Sequence, residues 1–327
     1  MIIENSKTYN ASEVENIFFR PTFCGKSAES LGIRILYNMP TPTKVPLFRH
    51  NNDILKEFSS GWQGGFSAEF QEREVPLTKL KAESSYSAEN YFATIYEWIC
   101  NSADVNLSDL SGSDLEKAET ELFRSSLADS IYANTWFGDV DGVISNHVGF
   151  SGFLCNIIKY VEEGELFVPV TLYPDAQEST IEEILRTTWV SASDELRSLA
   201  SDGQLAFFVS SDIYDAYQFY LDDKGVSSAY NDTLNGRPVL SYHGIPMIEI
   251  PSKLYSINKA RSFCILTDRR NLVLALNTAD SPEKEIRMWY NPDEMENRQR
   301  VVFLAGTLIL NPELMSGYIY NAKLTLQ

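Results

Sequence analysis

Few residues in this chain have the type and spacing that chemistry requires, and each was tested against the motif it approaches. "GDVDG" (Gly138 to Gly142) opens like a calcium-binding loop, with Asp139 and Asp141 two residues apart. A calcium loop needs glycine at its sixth position and a closing glutamate; here the glycine stands fourth and no glutamate follows. A helix end and a turn explain the stretch better. "GFSGF" (Gly149 to Phe153) approaches the glycine-framed nucleophile of hydrolases, with Ser151 at its centre and His147 nearby. It fails because Phe153 stands where the last glycine belongs. His50, His147 and His243 have no neighbours at metal-ligand spacing, and HExxH, Walker and GxGxxG motifs are absent. Glu116, Glu119 and Glu121 lie along a helical pattern and read as its solvated face, as Glu162 and Glu163 do before a glycine turn. Cys24, Cys100, Cys155 and Cys264 are far apart, with no redox or zinc spacing, and read as buried free thiols. The sequence assigns no catalytic residue, no cofactor and no metal.

The bulk composition points the same way. With 44% hydrophobic and 12% aromatic residues, the 327-residue chain can bury a sizeable core. Its formal net charge of −18 argues against gripping phosphates along a basic face. "MIIENSKTYN" has neither a basic nor an apolar signal region. The longest apolar run, "VVFLAGTLIL" (Val301 to Leu310), is too short to span a bilayer as a helix. The expectation is a soluble, cytosolically made protein with no membrane contact.

The elements that would position these residues follow from periodicity and punctuation. Residues 1–38 read as an arm that ends in a strand at Gly32–Tyr37. From Met39, prolines 40, 42 and 46 mark an extended piece, since proline lacks the amide donor. Gly61, Gly64 and Gly65 then make a turn flanked by Trp62 and Phe66, and Phe66, Ala68 and Phe70 alternate with polar residues. The result is a two-stranded excursion over 39–80 with an apolar tip, expected to leave its own subunit and lie on a neighbour. "SGSDLEKAETELFRSSLADSIYANTWFGD" predicts a helix over Ser113–Phe137, with Ser113 and Glu116 as a capping box and Gly138 as the stop. Its apolar face holds Leu115, Ala118, Leu122, Phe123, Leu127, Ile131 and Tyr132.

A second helix is predicted to start at Ser179, boxed by Glu182 and stopped by Gly203, before a buried strand at Leu205–Ser210. "SDIYDAYQFYLDDKG" reads as a helix from Ser211 or Asp212 to Gly225. "GRPVLSY" and "GIPMIEIP" then form strands around a turn at His243–Gly244, so His243 is structural. Residues 161–254 make a compact α/β lobe, and the strands "RSFCILTD", "NLVLALN", "EIRMWYN" and "RQRVVFLAGTLIL" build an antiparallel sheet crossed by the long helix. The fold class is α+β.

This order of elements resembles the major capsid proteins of tailed bacteriophages, with their Hong Kong 97-like fold. Four stretches carry the resemblance: the arm and the Gly- and Pro-marked excursion; the long helix ending in "WFGD"; "AFFVSSDIYDAYQFYLDD" followed by "NGRPVLSYHGIPMIEIP"; and the late strands with "EIRMWYNP". The resemblance implies an N-terminal arm (1–38), an extended loop (39–80), a peripheral domain with a spine helix (81–160), an axial domain (161–254) and return strands of the peripheral domain (255–327). It also implies pentamers and hexamers closing into an icosahedral head around double-stranded DNA, without sequence-specific DNA contact. Portal, connector or decoration proteins would be further partners, and the virion capsid the location after assembly in the host cytoplasm. Trp62, Phe66 and Phe70 become candidate subunit contacts. Many members begin with a charged helical scaffolding segment, so in this chain scaffolding is expected to be separate or already removed. No lysine or asparagine here matches the pair that some members cross-link. A cellular nanocompartment shell of the same fold, or a serine hydrolase built on Ser151 and His147, are the alternatives.

Overall fold

The computed structural model describes residues 7–8, 32–37, 43–49, 60, 69–87, 114–142, 147–164, 168–174, 180–225, 232–234, 237–251, 262–277 and 287–320. In chain order the elements are β1 (Lys7–Thr8), β2 (Arg34–Tyr37), β3 (Thr43–Arg49), β4 (Glu69–Val75), β5 (Thr78–Ser87), α1 (Asp114–Phe137), α2 (Phe153–Glu163) and β6 (Val170–Leu172). Next come α3 (Ile181–Ser191), α4 (Asp194–Ser198), β7 (Leu205–Ser210), α5 (Ser211–Asp223), β8 (Asp232–Leu234), β9 (Arg237–Val239), β10 (Ser241–Tyr242) and β11 (Ile245–Ile250). The chain finishes with β12 (Ser262–Asp268), β13 (Leu272–Asn277), β14 (Arg287–Asn291), β15 (Glu296–Ile309) and β16 (Met315–Tyr320).

Helix α1 is the predicted long helix, 24 residues and so about 36 Å of rod. Phe123, Leu127 and Ile131 recur every fourth residue and are all buried. Ser113, the expected cap, lies outside the described residues. The helix stops at Gly138 because another segment crosses there at backbone contact: the Gly152 amide donates to the Gly138 carbonyl at 2.7 Å. A Cβ on residue 138 would stand 1.9 Å from the Phe150 carbonyl oxygen, so only glycine lets the two pieces meet.

Two six-stranded sheets face one shared core. In the body sheet, β15 is the long central strand. One of its edges pairs with β5 over ten residues, Glu296 to Ala305. Its other edge pairs first with β14 and then with β13, and β1 and β2 close the sheet at either end. The lobe sheet runs β10-β11-β7-β12-β16-β6. Here β7 and β11 are parallel neighbours, with Met247 opposite Phe207, as the α5 crossover between them requires. The shared core joins Phe123, Leu127, Trp136 and Phe137 of α1 and Phe153, Leu154 and Ile157 of α2 to Phe208 and Phe263 of the lobe sheet. Leu274, Val301 and Phe303 bring the body sheet into the same cluster. A second core lies beneath α3 and α5 and includes Ile184, Leu185, Leu196, Phe207, Val209 and Ile213.

Three sequence-derived expectations need correction. The lobe does not close at residue 254. Strands β12 and β16, expected in the peripheral sheet, pair beside β7 and complete the lobe sheet. All six residues of β7 are buried, so both its edges need partners; β11 supplies one and β12 the other. The helix expected from Ser179 starts one residue later, where the Thr180 hydroxyl accepts from the Glu183 amide. It also breaks at Ala192, because Ser193 caps a new short helix by accepting from the Leu196 amide at 3.2 Å. Finally, the excursion does not run free to Leu80. Its paired strands are β3 and β4, and Thr78 onward belongs to the body sheet. Val45 and Val75, at the base of the ribbon, pack on Val273, Ala275 and Leu308 of their own subunit.

Candidate functional site

The residues that approached catalytic motifs are engaged in holding the fold. Asp139 is fully buried, and its main-chain amide donates to the His147 carbonyl at 2.7 Å. Where a calcium ion would sit, the structure places an ammonium: Lys159 Nζ lies 2.7 Å from Asp141 Oδ2 and 3.5 Å from Asp139 Oδ1. Its hydrogen bond to Asp141 leads the causes that raise the Lys159 pKa. The turn thus carries its own counter-charge, supplied by α2. Among the described residues, no cluster of three or more His, Cys, Asp and Glu side chains is placed to hold a metal.

"GFSGF" is the lead-in to α2. Phe150 and Phe153 are buried, the Ser151 carbonyl accepts the Thr307 hydroxyl of β15, and Asn156 Nδ2 donates to that hydroxyl at 3.2 Å. Partial burial lowers the pKa of His147 from its ordinary value. The carboxylates nearest in sequence, Asp139 and Asp141, are the two that Lys159 holds.

His243 and Gly244 form the tip of the β10–β11 hairpin, both at positive φ (52° and 76°). That is the geometry of a two-residue hairpin turn with left-handed central residues. The imidazole stacks on Trp189 of α3, 5.6 Å between centroids, and meets Tyr242 edge-on at 4.5 Å. These contacts tie the hairpin to the lobe helices, in keeping with the structural role expected from sequence. Cys155 and Cys264 are free and buried, and burial pushes both thiols up to about 12. Cys24, Cys100 and His50 lie outside the described residues.

What the molecule presents instead is dispersed surface. Among the described residues, the large exposed apolar side chains fall in three separate places. Val140 and Val148 sit beyond the end of α1, Val190 and Phe219 on lobe helices α3 and α5, and Met295 in the β14–β15 turn. A pocket enzyme concentrates its apolar surface in one concavity. Scattered in this way, the exposed side chains form no contiguous apolar patch among the described residues. A cavity of about 610 Å³ lies between α1 and strands β5 and β15. It is lined by Leu80, Phe123, Leu127, Ile131 and Phe303 with several hydroxyls and amides, and its charged lining is Lys81 and Glu83, which pair with each other at 2.7 Å on exposed faces of β5.

Of the predicted contact residues, Trp62 and Phe66 lie outside the described residues. Phe70 stands in β4, in register with Phe48 of β3. The ribbon that carries them is anchored firmly. Arg73 Nη1 donates to the Ile309 carbonyl at 3.0 Å, and Lys44 pairs with Glu72 at 3.1 Å. A Cβ on Gly306 of β15 would fall 2.1 Å from the Pro76 carbonyl oxygen, so the exit from the ribbon lies directly on the sheet backbone.

Comparison with known proteins gives no match to a family model and none to a curated protein sequence. Solved structures do match. The chain superimposes on the capsid of a native GTA particle with a TM-score of 0.55 at 14% identity, covering 91% of both chains. The satellite phage P4 procapsid matches with a TM-score of 0.52 at 10% identity, over 88% of this chain and 92% of that one. The holo-SrpI encapsulin complex from Synechococcus elongatus matches with a TM-score of 0.50 at 12% identity, over 90% and 86%. Identity this low establishes architecture alone: this chain has the α+β fold of the tailed-phage major capsid proteins.

Proposed function

We propose that this chain is the major subunit of a phage head. Copies self-assemble into pentamers and hexamers that close into an icosahedral shell around double-stranded DNA. The observation that carries this reading is the reciprocal coverage of the capsid match, 91% of each chain. The ribbon fits the same reading, since its base is fixed on its own body sheet through Val45 and Val75. Residues 161–254 with β12 and β16 act as the axial domain, and 81–160 with the remaining return strands as the peripheral domain. Residues 1–38 are the arm, and 39–80 the extended loop that puts Trp62, Phe66 and Phe70 on a neighbouring subunit. Portal, connector and decoration proteins are the further partners, and the virion capsid is the site of action after assembly in the host cytoplasm.

Replacing residues 51–67 by a short glycine linker tests this reading. The paired base of the ribbon stays on its own sheet, so the variant should keep its circular dichroism and lose its large particles. Unchanged particle formation by the variant would refute the proposal for the loop.

The encapsulin match favours a second reading, a cellular nanocompartment of the same fold. The two separate on what co-purifies with the shells: nucleic acid or head proteins for a phage head, an enclosed enzyme for a nanocompartment.

A further inference from the structure

The chain passes between its two sheets at a pair of short, adjacent crossovers. Residues 269–271 lead from β12 in the lobe sheet to β13 in the body sheet, and residues 310–314 lead back from β15 to β16. One side chain joins them. Asn271 is buried, and its Nδ2 donates to the Asn311 carbonyl at 2.9 Å, the Thr267 hydroxyl at 3.0 Å and the Leu314 carbonyl at 3.3 Å. Its Oδ1 accepts from the Asn311 amide at 2.7 Å. The Leu310 amide donates to the Asn271 carbonyl at 3.0 Å, and the Thr267 hydroxyl donates to the Leu314 carbonyl at 2.8 Å. Asp268 caps the outgoing crossover through the Arg270 amide and grips the Arg270 guanidinium at 2.6 Å.

We infer that Asn271 is a positioning residue of assembly: its carboxamide fixes the angle between the lobe sheet and the body sheet, and through that angle the curvature of the shell. The core shared by the two sheets is held by apolar packing, which is strong but non-directional and tolerates small rotations. Hydrogen bonds weaken steeply once they are bent or stretched. The amide network spans both crossovers, so any rotation of one sheet on the other must break it. Once broken, it leaves buried carbonyl and amide groups without partners. In a closed shell a small change of this angle, repeated in every copy, alters how many copies close. The link to curvature rests on the shell reading above; the clamp itself does not.

Two measurements separate the parts. Spin labels on cysteines placed at the exposed positions Lys81 and Glu195, with Cys24 and Cys100 replaced by Ser, report the body-to-lobe distance in unassembled subunits by pulsed electron resonance. The parent should give a single narrow distance distribution and Asn271→Ala should lose it. An unchanged distribution overturns the clamp. If Asn271→Ala does not fold, Thr267→Val removes two of the same bonds with little change of shape and should broaden the same distance. Shell diameters by electron microscopy test the second part. Asn271→Ala should lose the uniform diameter of the parent. Ile213→Ala, which weakens the second core at the end of β7 far from the crossovers, should keep it. Equal diameters for Asn271→Ala and parent, or the same heterogeneity from Ile213→Ala, overturn the link to curvature. A parent that forms no shell overturns that link together with the shell reading, and leaves the clamp to be judged by the label distances.

Discussion

Trp136 is the side chain that ties the long helix to the lobe, and two substitutions there should behave very differently. It is 1% exposed, and its indole lies 5.3 Å from Phe153, 5.2 Å from Phe208 and 6.3 Å from Phe263, centroid to centroid. Trp136→Ala removes the largest side chain of the junction and leaves a cavity that close packing cannot fill, at a cost of ~3–5 kcal/mol. The Nε1–H, however, is buried with no hydrogen-bond partner among the described residues. An unpaired buried donor costs ~1–3 kcal/mol. Trp136→Phe removes that donor and keeps an aromatic ring against the three neighbours, so loss of volume and relief of the orphan group offset each other. We expect Trp136→Phe to lie within about 1 kcal/mol of the parent, and Trp136→Ala to fall several-fold further. Urea titration of unassembled subunits, followed by far-ultraviolet circular dichroism and checked for constant slope, measures both. A Trp136→Phe variant as damaged as Trp136→Ala would refute the reasoning, because it would mean the indole N–H has a partner that the folded chain depends on.

Three other outcomes follow from the same physical description. The Cys155 and Cys264 thiols ionise near 9.0 in the unfolded chain but are held protonated up to about 12 in the fold, chiefly by burial. The folded state therefore binds more protons across that interval, and stability falls as pH rises from 9.0 toward about 12. Replacing both thiols with Ala should flatten this fall, as read by denaturant midpoints at several alkaline pH values; an unchanged slope contradicts it. Lys159→Met strips the ammonium from the buried Asp139 carboxylate and should cost ~1–3 kcal/mol in a urea titration, whereas a neutral result would mean the ion pair only decorates the turn. Residues 161–254 contain sixteen Asp and Glu against five Lys and Arg, a net −11 of the chain's −18. Lobes gathered around an axis repel one another, so raising salt from about 0.05 M to about 0.5 M should strengthen particle formation in light scattering, and weakening would contradict lobe-to-lobe proximity.

Much of this architecture was legible from local pattern. The long helix stands where its apolar face and Gly138 placed it, and β7 and β11 are adjacent buried strands around the crossover helix. The hairpin at His243–Gly244 follows from turn chemistry within a few residues. Non-local allocation was not legible. "SFCILTD" and "NLVLALN" are equally apolar strands with two residues between them, yet they belong to different sheets. Periodicity reports burial, not the identity of the neighbouring strand. Only the need to cover both edges of β7 assigns β12 to the lobe. Ser193 looked like one more residue of a continuing helix, because a cap declares itself through an amide three residues away. The candidate calcium loop and nucleophile were rejected on spacing, and the structure supplies what spacing alone did not: a lysine from α2 in the one and a β15 hydroxyl on the other. The Asn271 clamp went unnoticed. Its only trace is a polar "TDRRN" between two apolar strands, which reads as an ordinary turn until its hydrogen bonds across the second crossover are known.

The most direct test of the shell reading is negative-stain electron microscopy of the purified full chain. Closed, uniform, roughly spherical particles built from five- and six-fold clusters are the expected result. A field of monomers, or of open rings and tubes across a range of salt and protein concentrations, would contradict it.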